Sequence, residues 1–213
     1  MLRKEWSLIT NSILIQLAAG LYTYLAAYRQ LLVNRPDAGT APGAVFSGML
    51  LCGPVIFAAM ILSLFHLGRP LRAYRAMAHL KTSWLSREVF FTCAFGVLWA
   101  ASVWMEKSGT AGMNVIWLAA AAGLLSVLSM SGIYAATGKP GWSGLNTALS
   151  FFVTLMIFGG VSSTIVMMQA GDFQTWTKAS LALAFFILGV RLVYQKKLFS
   201  KLAGSKRRSV DQL

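Results

Sequence analysis

Residues 66–88 read HLGRPLRAYRAMAHLKTSWLSRE and form the longest polar interval between two apolar runs of the chain. The interval holds both histidines of the sequence, and five cations precede its first acid, Glu88. One apolar run ends at the start of this interval, and the next run begins at its end. We call this segment the hinge, and we expect the chemistry of the protein to lie there.

Outside the hinge the sequence is mostly apolar. Of its 213 residues, 57% are hydrophobic and 12% are charged, whereas a soluble domain usually carries about 25% charged residues. Six successive apolar runs come near or exceed the ~20 residues that cross a bilayer as a helix. The runs are continuous and do not alternate at every second residue, which argues against a β-barrel. The composition predicts an all-α, polytopic membrane helical bundle.

The chain is predicted to be a single membrane domain over residues 1–213. Prolines and glycines set the span boundaries; Pro70 is expected to stop the second helix, and Pro54 to kink it. The first apolar run exceeds the ~7–15 residue core of a cleaved signal, so we expect an uncleaved span. The predicted spans are about 7–33, 44–66, 89–104, 113–136, 144–169 and 176–194, followed by a basic tail at 195–213.

The formal net charge of +13 is of the kind that nucleic-acid-binding proteins carry, but the cations lie at the ends of apolar runs. The N-terminus, the hinge, the fourth loop and the tail together hold 15 of the 19 Lys and Arg residues. We expect the chain to lie in a bacterial inner membrane. By the positive-inside rule, its N-terminus, hinge and C-terminus are predicted to be on the cytoplasmic side. Membrane lipid is an expected partner and nucleic acid is not. The basic tail is expected to be a lipid-facing or disordered end.

His66 ends the second predicted span and Glu88 begins the third, which places both at one membrane face. Each residue also has an explanation without a function. His66 would be a histidine at the membrane interface, and Glu88 an acid at a helix start, favoured by the helix dipole. The functional interpretation is a quinol site. An imidazole would accept or relay a proton from a quinol hydroxyl, and a carboxylate would orient it or carry the proton away. Arg72 would position the head group.

Metal chemistry within the chain is not expected. A haem between transmembrane helices usually needs two axial histidines on facing helices, whereas only His66 is at a helix end and His79 lies in the hinge. Cys52 and Cys93 lack a metal-binding spacing and are predicted to be small core residues. The sequence therefore predicts no haem, iron–sulfur cluster or metal site here. Electrons would leave by another route, such as an iron–sulfur cluster on a separate subunit docked at the hinge. The arginines of the hinge are expected to set the membrane topology. In a second interpretation they also bind an acidic surface of that partner.

The segment FHLGRPLRAYRAMAHLKTSWLSREV, residues 65–89, resembles the signature of the dimethyl sulfoxide reductase membrane-anchor family (DmsC-like). That signature is a His-Leu-Gly-x-Pro-x-Arg-Ala run followed by a Ser-x-Leu-Ser-x-Glu segment. A weaker similarity covers Tyr134 to Gly160, and the Glu-Trp-Ser-Leu entry into the first span is also similar.

The resemblance implies an anchor that oxidises menaquinol and holds a molybdopterin catalytic subunit and a four-cluster iron–sulfur subunit at the membrane. Members typically have eight spans, against six predicted here. Some members are drawn with the N-terminus on the outer side, which leaves open the side of the membrane that the partners occupy. The positions matching the motif, and therefore implied to bind the quinol, are His66, Gly68, Arg72 and Glu88, with Tyr74 as a secondary candidate.

Two alternatives remain open from the sequence. In the first, the chain is a structural anchor without quinol chemistry, and the hinge only docks a partner. In the second, it is a small-solute transporter, although that class usually has broken helices and polar groups near the midplane. The predicted spans carry few such groups.

Overall fold

The computed structural model describes residues 2–33, 41–64, 79–110, 112–138, 142, 144–168 and 173–210. Over these residues the chain forms six α-helices and no strand. Each helix contains a segment that is long and apolar enough to cross a membrane, which confirms the predicted all-α membrane bundle. The helices are α1 (Leu2–Leu32), α2 (Ala41–Leu64), α3 (Trp84–Lys107), α4 (Met113–Ala135), α5 (Gly144–Met168) and α6 (Phe173–Val210).

The third helix begins at Trp84, earlier than the start predicted near residue 89. Ser83 has an extended backbone (φ −114°, ψ 123°), and its side chain accepts a hydrogen bond from the Ser86 N–H at 3.3 Å. An N-cap serine satisfies one of the otherwise unpaired N–H groups of a first turn. Glu88 consequently lies in the second turn of α3 and does not begin the helix.

The last helix runs on through the basic segment that the sequence was expected to leave as a lipid-facing or disordered tail. It continues to Val210, well past the apolar part at Lys178–Lys196. Lysine, arginine, leucine and alanine have high helix propensities, so a basic sequence can extend a helix beyond the bilayer. Within its apolar part, Arg191 donates hydrogen bonds from α6 to Asn146 and Ser150 of α5.

The helices alternate in direction, and side-chain contacts show which ends meet. The start of α1 contacts the start of α3 through Asn11 and Glu88. The start of α1 also meets the end of α4, where Ser12 Oγ lies 3.5 Å from Tyr134 Oη. We call the end of the bundle that contains these contacts the hinge edge, because the hinge connects α2 to α3 there.

The first helix lies at the centre of the bundle. Ile15, Tyr22 and Leu25 on α1 are completely buried, and α1 packs against α2, α4 and α5. The Tyr22 hydroxyl donates to Ser102 Oγ of α3 at 2.7 Å, and its ring meets Phe95 edge-on at 5.7 Å between centroids. The α6 helix is peripheral, with Phe185 largely exposed.

Two glycines allow α1 and α5 to approach backbone to backbone. A Cβ atom on Gly159 would lie 2.6 Å from the carbonyl oxygen of Gly20, and one on Gly20 would overlap the carbonyl oxygen of Leu155. On the next residue, a Cβ at Gly160 would lie 3.2 Å from the Ser180 carbonyl oxygen of α6. Small residues permit such close contacts between membrane helices.

The second helix is continuous through Pro54. One turn before it, the Met49 carbonyl accepts a hydrogen bond from Trp99 Nε1 of α3 at 2.6 Å. Cys52 is buried, with its Sγ 3.5 Å from the Gly48 carbonyl oxygen. The prediction that this cysteine is a small core residue is confirmed.

Candidate functional site

The described part of the hinge is a tight turn that leads into α3. The carbonyl of His79 accepts hydrogen bonds from the N–H groups of Thr82 and Ser83 at 3.1 and 2.9 Å. Of the five residues predicted to form the quinol site, Glu88 is described. The other four, His66, Gly68, Arg72 and Tyr74, lie outside the described residues.

Arg87 fixes the turn to the first turn of α3. Its Nε donates to the Leu80 carbonyl at 2.9 Å and its Nη2 to the Lys81 carbonyl at 2.7 Å. The guanidinium also lies 4.4 Å from the centroid of the Trp84 ring, a favourable cation–π distance. The charge of Arg87 is therefore directed to the hinge backbone and away from the neighbouring Glu88.

Glu88 points into the bundle and is 5% exposed. Asn11 Nδ2 of α1 donates to Glu88 Oε1 at 3.1 Å. Over the described residues the carboxyl forms no ion pair. A buried carboxyl group is costly unless it is hydrogen-bonded, so the Asn11 amide both stabilises Glu88 and fixes its orientation.

A second polar contact follows one helical turn further along α3. Thr92 Oγ1 and Ser126 Oγ of α4 are 2.6 Å apart, and both residues are buried. Residues four apart lie on the same face of a helix, so Glu88 and Thr92 form one polar strip on the inner face of α3. This strip places the carboxyl between α1 and α4 at the hinge edge.

A cavity of about 350 Å³ lies at the same edge, between α1, α4 and α5. Its polar lining includes Ser12 and Gln16 of α1 and Tyr134 of α4. Trp142, between α4 and α5, and Phe151 of α5 complete an aromatic wall. Ser12 directly follows Asn11, the partner of Glu88, so the carboxyl and the cavity flank the same turn of α1.

Asn11, Ser12 and Gln16 are not among the site residues predicted from the sequence. All three are buried. Polar side chains within a membrane span face the bundle interior or a cavity, and this signal in α1 could have identified them. Their partners could not be inferred, because Glu88 is 77 positions away from Asn11.

Comparison with known families agrees with the hinge motif. The model of the family described as "DMSO reductase anchor subunit (DmsC)" matches residues 2–208. The chain belongs to this family. The match includes the whole hinge and all six helices up to residue 208.

Curated relatives have related names. YnfH, a polypeptide of an anaerobic dimethyl sulfoxide reductase from Escherichia coli, is 26% identical over 170 residues, covering 78% of this chain and 58% of the relative. A polypeptide of the anaerobic dimethyl sulfoxide reductase from Haemophilus influenzae is 28% identical over 138 residues, covering 62% of this chain and 48% of the relative. One subunit of the sulfite dehydrogenase from Allochromatium vinosum is 38% identical over 84 residues, covering 39% of this chain and 26% of the relative.

This DmsC-family chain aligns with about half of the length of the first two relatives, 58% and 48%. No solved structure matches it. Family membership together with six apolar helices shows a multi-pass membrane protein.

Proposed function

We propose that the chain is the quinol-oxidising membrane anchor of a molybdopterin oxidoreductase complex in a bacterial inner membrane. In this role it binds an iron–sulfur electron-transfer subunit and a molybdopterin catalytic subunit. Membership of the anchor family and the names of the relatives, which include reductase polypeptides and a sulfite dehydrogenase subunit, support the assembly. The observation that carries quinol oxidation is the buried Glu88 carboxyl, held by Asn11 at the hinge edge without an ion-pair partner among the described residues.

The chemistry requires a proton acceptor at the membrane edge. Oxidation of menaquinol to menaquinone releases two electrons and two protons. The electrons pass to the iron–sulfur subunit docked at the hinge, and the protons pass to groups of this chain. A carboxylate that is buried and oriented suits general-base work, because its position relative to the donor is fixed.

The remaining roles follow from the hinge motif. His66 accepts or relays a proton together with Glu88, and Arg72 positions the quinol head group. Gly68 and, as a secondary candidate, Tyr74 belong to the same proposed quinol site. The side chain of Lys81 is exposed at the same edge and would attract an acidic partner surface.

The first test uses the complex purified through an affinity tag on this chain. Molybdenum and ~16 iron atoms per complex are expected from a four-cluster partner. A reduced naphthoquinol analogue is then added, and bleaching of the iron–sulfur absorbance reports electron transfer. This readout does not require the terminal acceptor to be known.

Glu88→Gln is compared with Glu106→Gln, which removes the same acid from the same helix at the opposite edge. Cluster reduction is expected to slow by at least about tenfold in Glu88→Gln, equivalent to ~1.4 kcal/mol. It should stay near the wild-type rate in Glu106→Gln when normalised to intact complex. Equal rates in both variants would favour a structural anchor without quinol chemistry.

A further inference from the structure

The cavity at the hinge edge has an aromatic wall. The Tyr134 ring lies 5.2 Å from the Trp142 ring and 5.2 Å from the Phe151 ring, tilted by 57° and 50°. Centroid distances in this range are typical of stabilising aromatic pairs. The three rings, which come from α4, α5 and the segment between them, offer a surface on which a flat ring can pack.

Polar groups also line the cavity. Ser12 Oγ donates to the Leu8 carbonyl at 3.0 Å, and Tyr134 Oη lies 3.5 Å from Ser12 Oγ. O–H···O hydrogen bonds are usually 2.5–3.0 Å long, so the two hydroxyls are separated more widely than a tight pair. The Gln16 amide is fixed next to them by donation from Nε2 to the Ser12 carbonyl at 3.0 Å.

The cavity opens on the outer side of the bundle. Ile9 and Ile13 line it and are 45% and 43% exposed among the described residues. Exposed apolar side chains on a membrane-spanning helix are expected to face lipid. A ligand with an apolar tail can therefore enter sideways from the bilayer. The volume of about 350 Å³ falls within the roughly 300–1,000 Å³ of small-molecule sites.

We propose that this cavity binds the aromatic head group of a lipid-soluble quinol, with one ring hydroxyl between Ser12 Oγ and Tyr134 Oη. The proposal rests on quinol oxidation as the proposed function and adds a binding pocket that the hinge motif does not contain. An aromatic ring with hydroxyls matches the three rings and the polar groups, whereas an acyl chain would leave the polar groups unused. The isoprenoid tail leaves past Ile13 into the lipid.

Photolabelling tests where the quinol binds. Vesicles containing the assembled complex are irradiated with an aryl-azide derivative of a short-chain naphthoquinone, and the labelled peptides are identified by mass spectrometry. Label that excess unlabelled naphthoquinone displaces is expected on the peptides containing Ser12 and Tyr134. Displaceable label found only on other segments would overturn the pocket and leave quinol oxidation standing. Absence of displaceable label, together with no cluster reduction by the naphthoquinol, would overturn both.

Substitutions test the same pocket without a large risk of misfolding. Ile13→Trp should obstruct the opening from the lipid side, with Ile61→Trp as its control on an equally lipid-facing position of α2. Tyr134→Phe removes one hydroxyl, with Tyr194→Phe as its control. We expect Ile13→Trp and Tyr134→Phe each to raise the KM for the naphthoquinol by about tenfold, with a smaller change in kcat. A KM within twofold of the matched control in both cases would contradict the proposal.

Discussion

Arg29 and Glu106 form an ion pair between the ends of α1 and α3, with 2.9 Å between Nη2 and Oε1. At the starts of the same helices Asn11 bonds Glu88, and in both pairs the partner is 77 positions further along the chain. The two pairs are roughly five turns, or about 27 Å, apart. This approaches the ~30 Å thickness of the bilayer hydrocarbon. The two parallel helices are thus held in register at each membrane edge.

The ion pair should contribute to stability. Arg29 and Glu106 side chains are 23% and 13% exposed, and removing one member of a largely buried pair costs about 3–5 kcal/mol. We expect Arg29→Met to lower the free energy of unfolding by roughly 3 kcal/mol, at the low end of this range because of the residual exposure. Chemical unfolding in mixed micelles, followed by circular dichroism, measures the change.

A double-mutant cycle provides the control for this prediction. Arg29→Met/Glu106→Met should recover part of the loss, since no charge is then left unpaired. Additive losses in the double variant would show that the two side chains stabilise the bundle independently.

Asn11 should influence quinol turnover through Glu88. Asn11→Leu removes the hydrogen bond at 3.1 Å that orients the carboxyl. Because hydrogen bonds to charged groups contribute ~1.5–3 kcal/mol, a decrease of about tenfold or more in cluster reduction is expected. The control is Asn114→Leu, an exposed position in the first turn of α4. Unchanged rates in Asn11→Leu would mean that orientation of Glu88 does not limit turnover.

The α1–α5 contact should not tolerate a single methyl group. Gly20→Ala would place Cβ against the Leu155 carbonyl oxygen, and such overpacking costs about 1–3 kcal/mol. Gly189→Ala in α6 is the matched control, because a Cβ there has no neighbour within 4 Å. Thermal unfolding in detergent should separate the two, with a lower Tm for Gly20→Ala and an equal or higher Tm for Gly189→Ala. Equal Tm values would show that α1 and α5 can move apart without loss of thermal stability.

The predicted orientation can be tested with two matched cysteines. Thr82 in the hinge and Thr110 after α3 are both exposed and lie at opposite edges. In a background where Cys52 and Cys93 are replaced by alanine, a membrane-impermeant maleimide added to intact spheroplasts should label Thr110→Cys but not Thr82→Cys. The reverse pattern would place the hinge, and with it the proposed docking site of the partner subunits, on the outer side.

Hydropathy and proline positions in the sequence were sufficient to identify six membrane helices. These features are local, since the bilayer requires about 20 apolar residues for each crossing. The hinge motif also led to the family, which the match over residues 2–208 shows. The predicted start of α3, near residue 89, was too late. The helix begins at Trp84, because the Ser83 cap stabilises its first turn although that turn includes polar residues.

Only the tertiary structure decided which helices are neighbours and which side chains meet. In a soluble helix the apolar stripe reveals the buried face, but a membrane helix is apolar toward both lipid and protein. Hydropathy therefore could not show that α1 is central, that Asn11 reaches Glu88, or that Ser12 and Tyr134 line one cavity. Those relationships depend on packing between residues far apart in the chain, at glycines such as Gly20 and Gly159 that permit close approach.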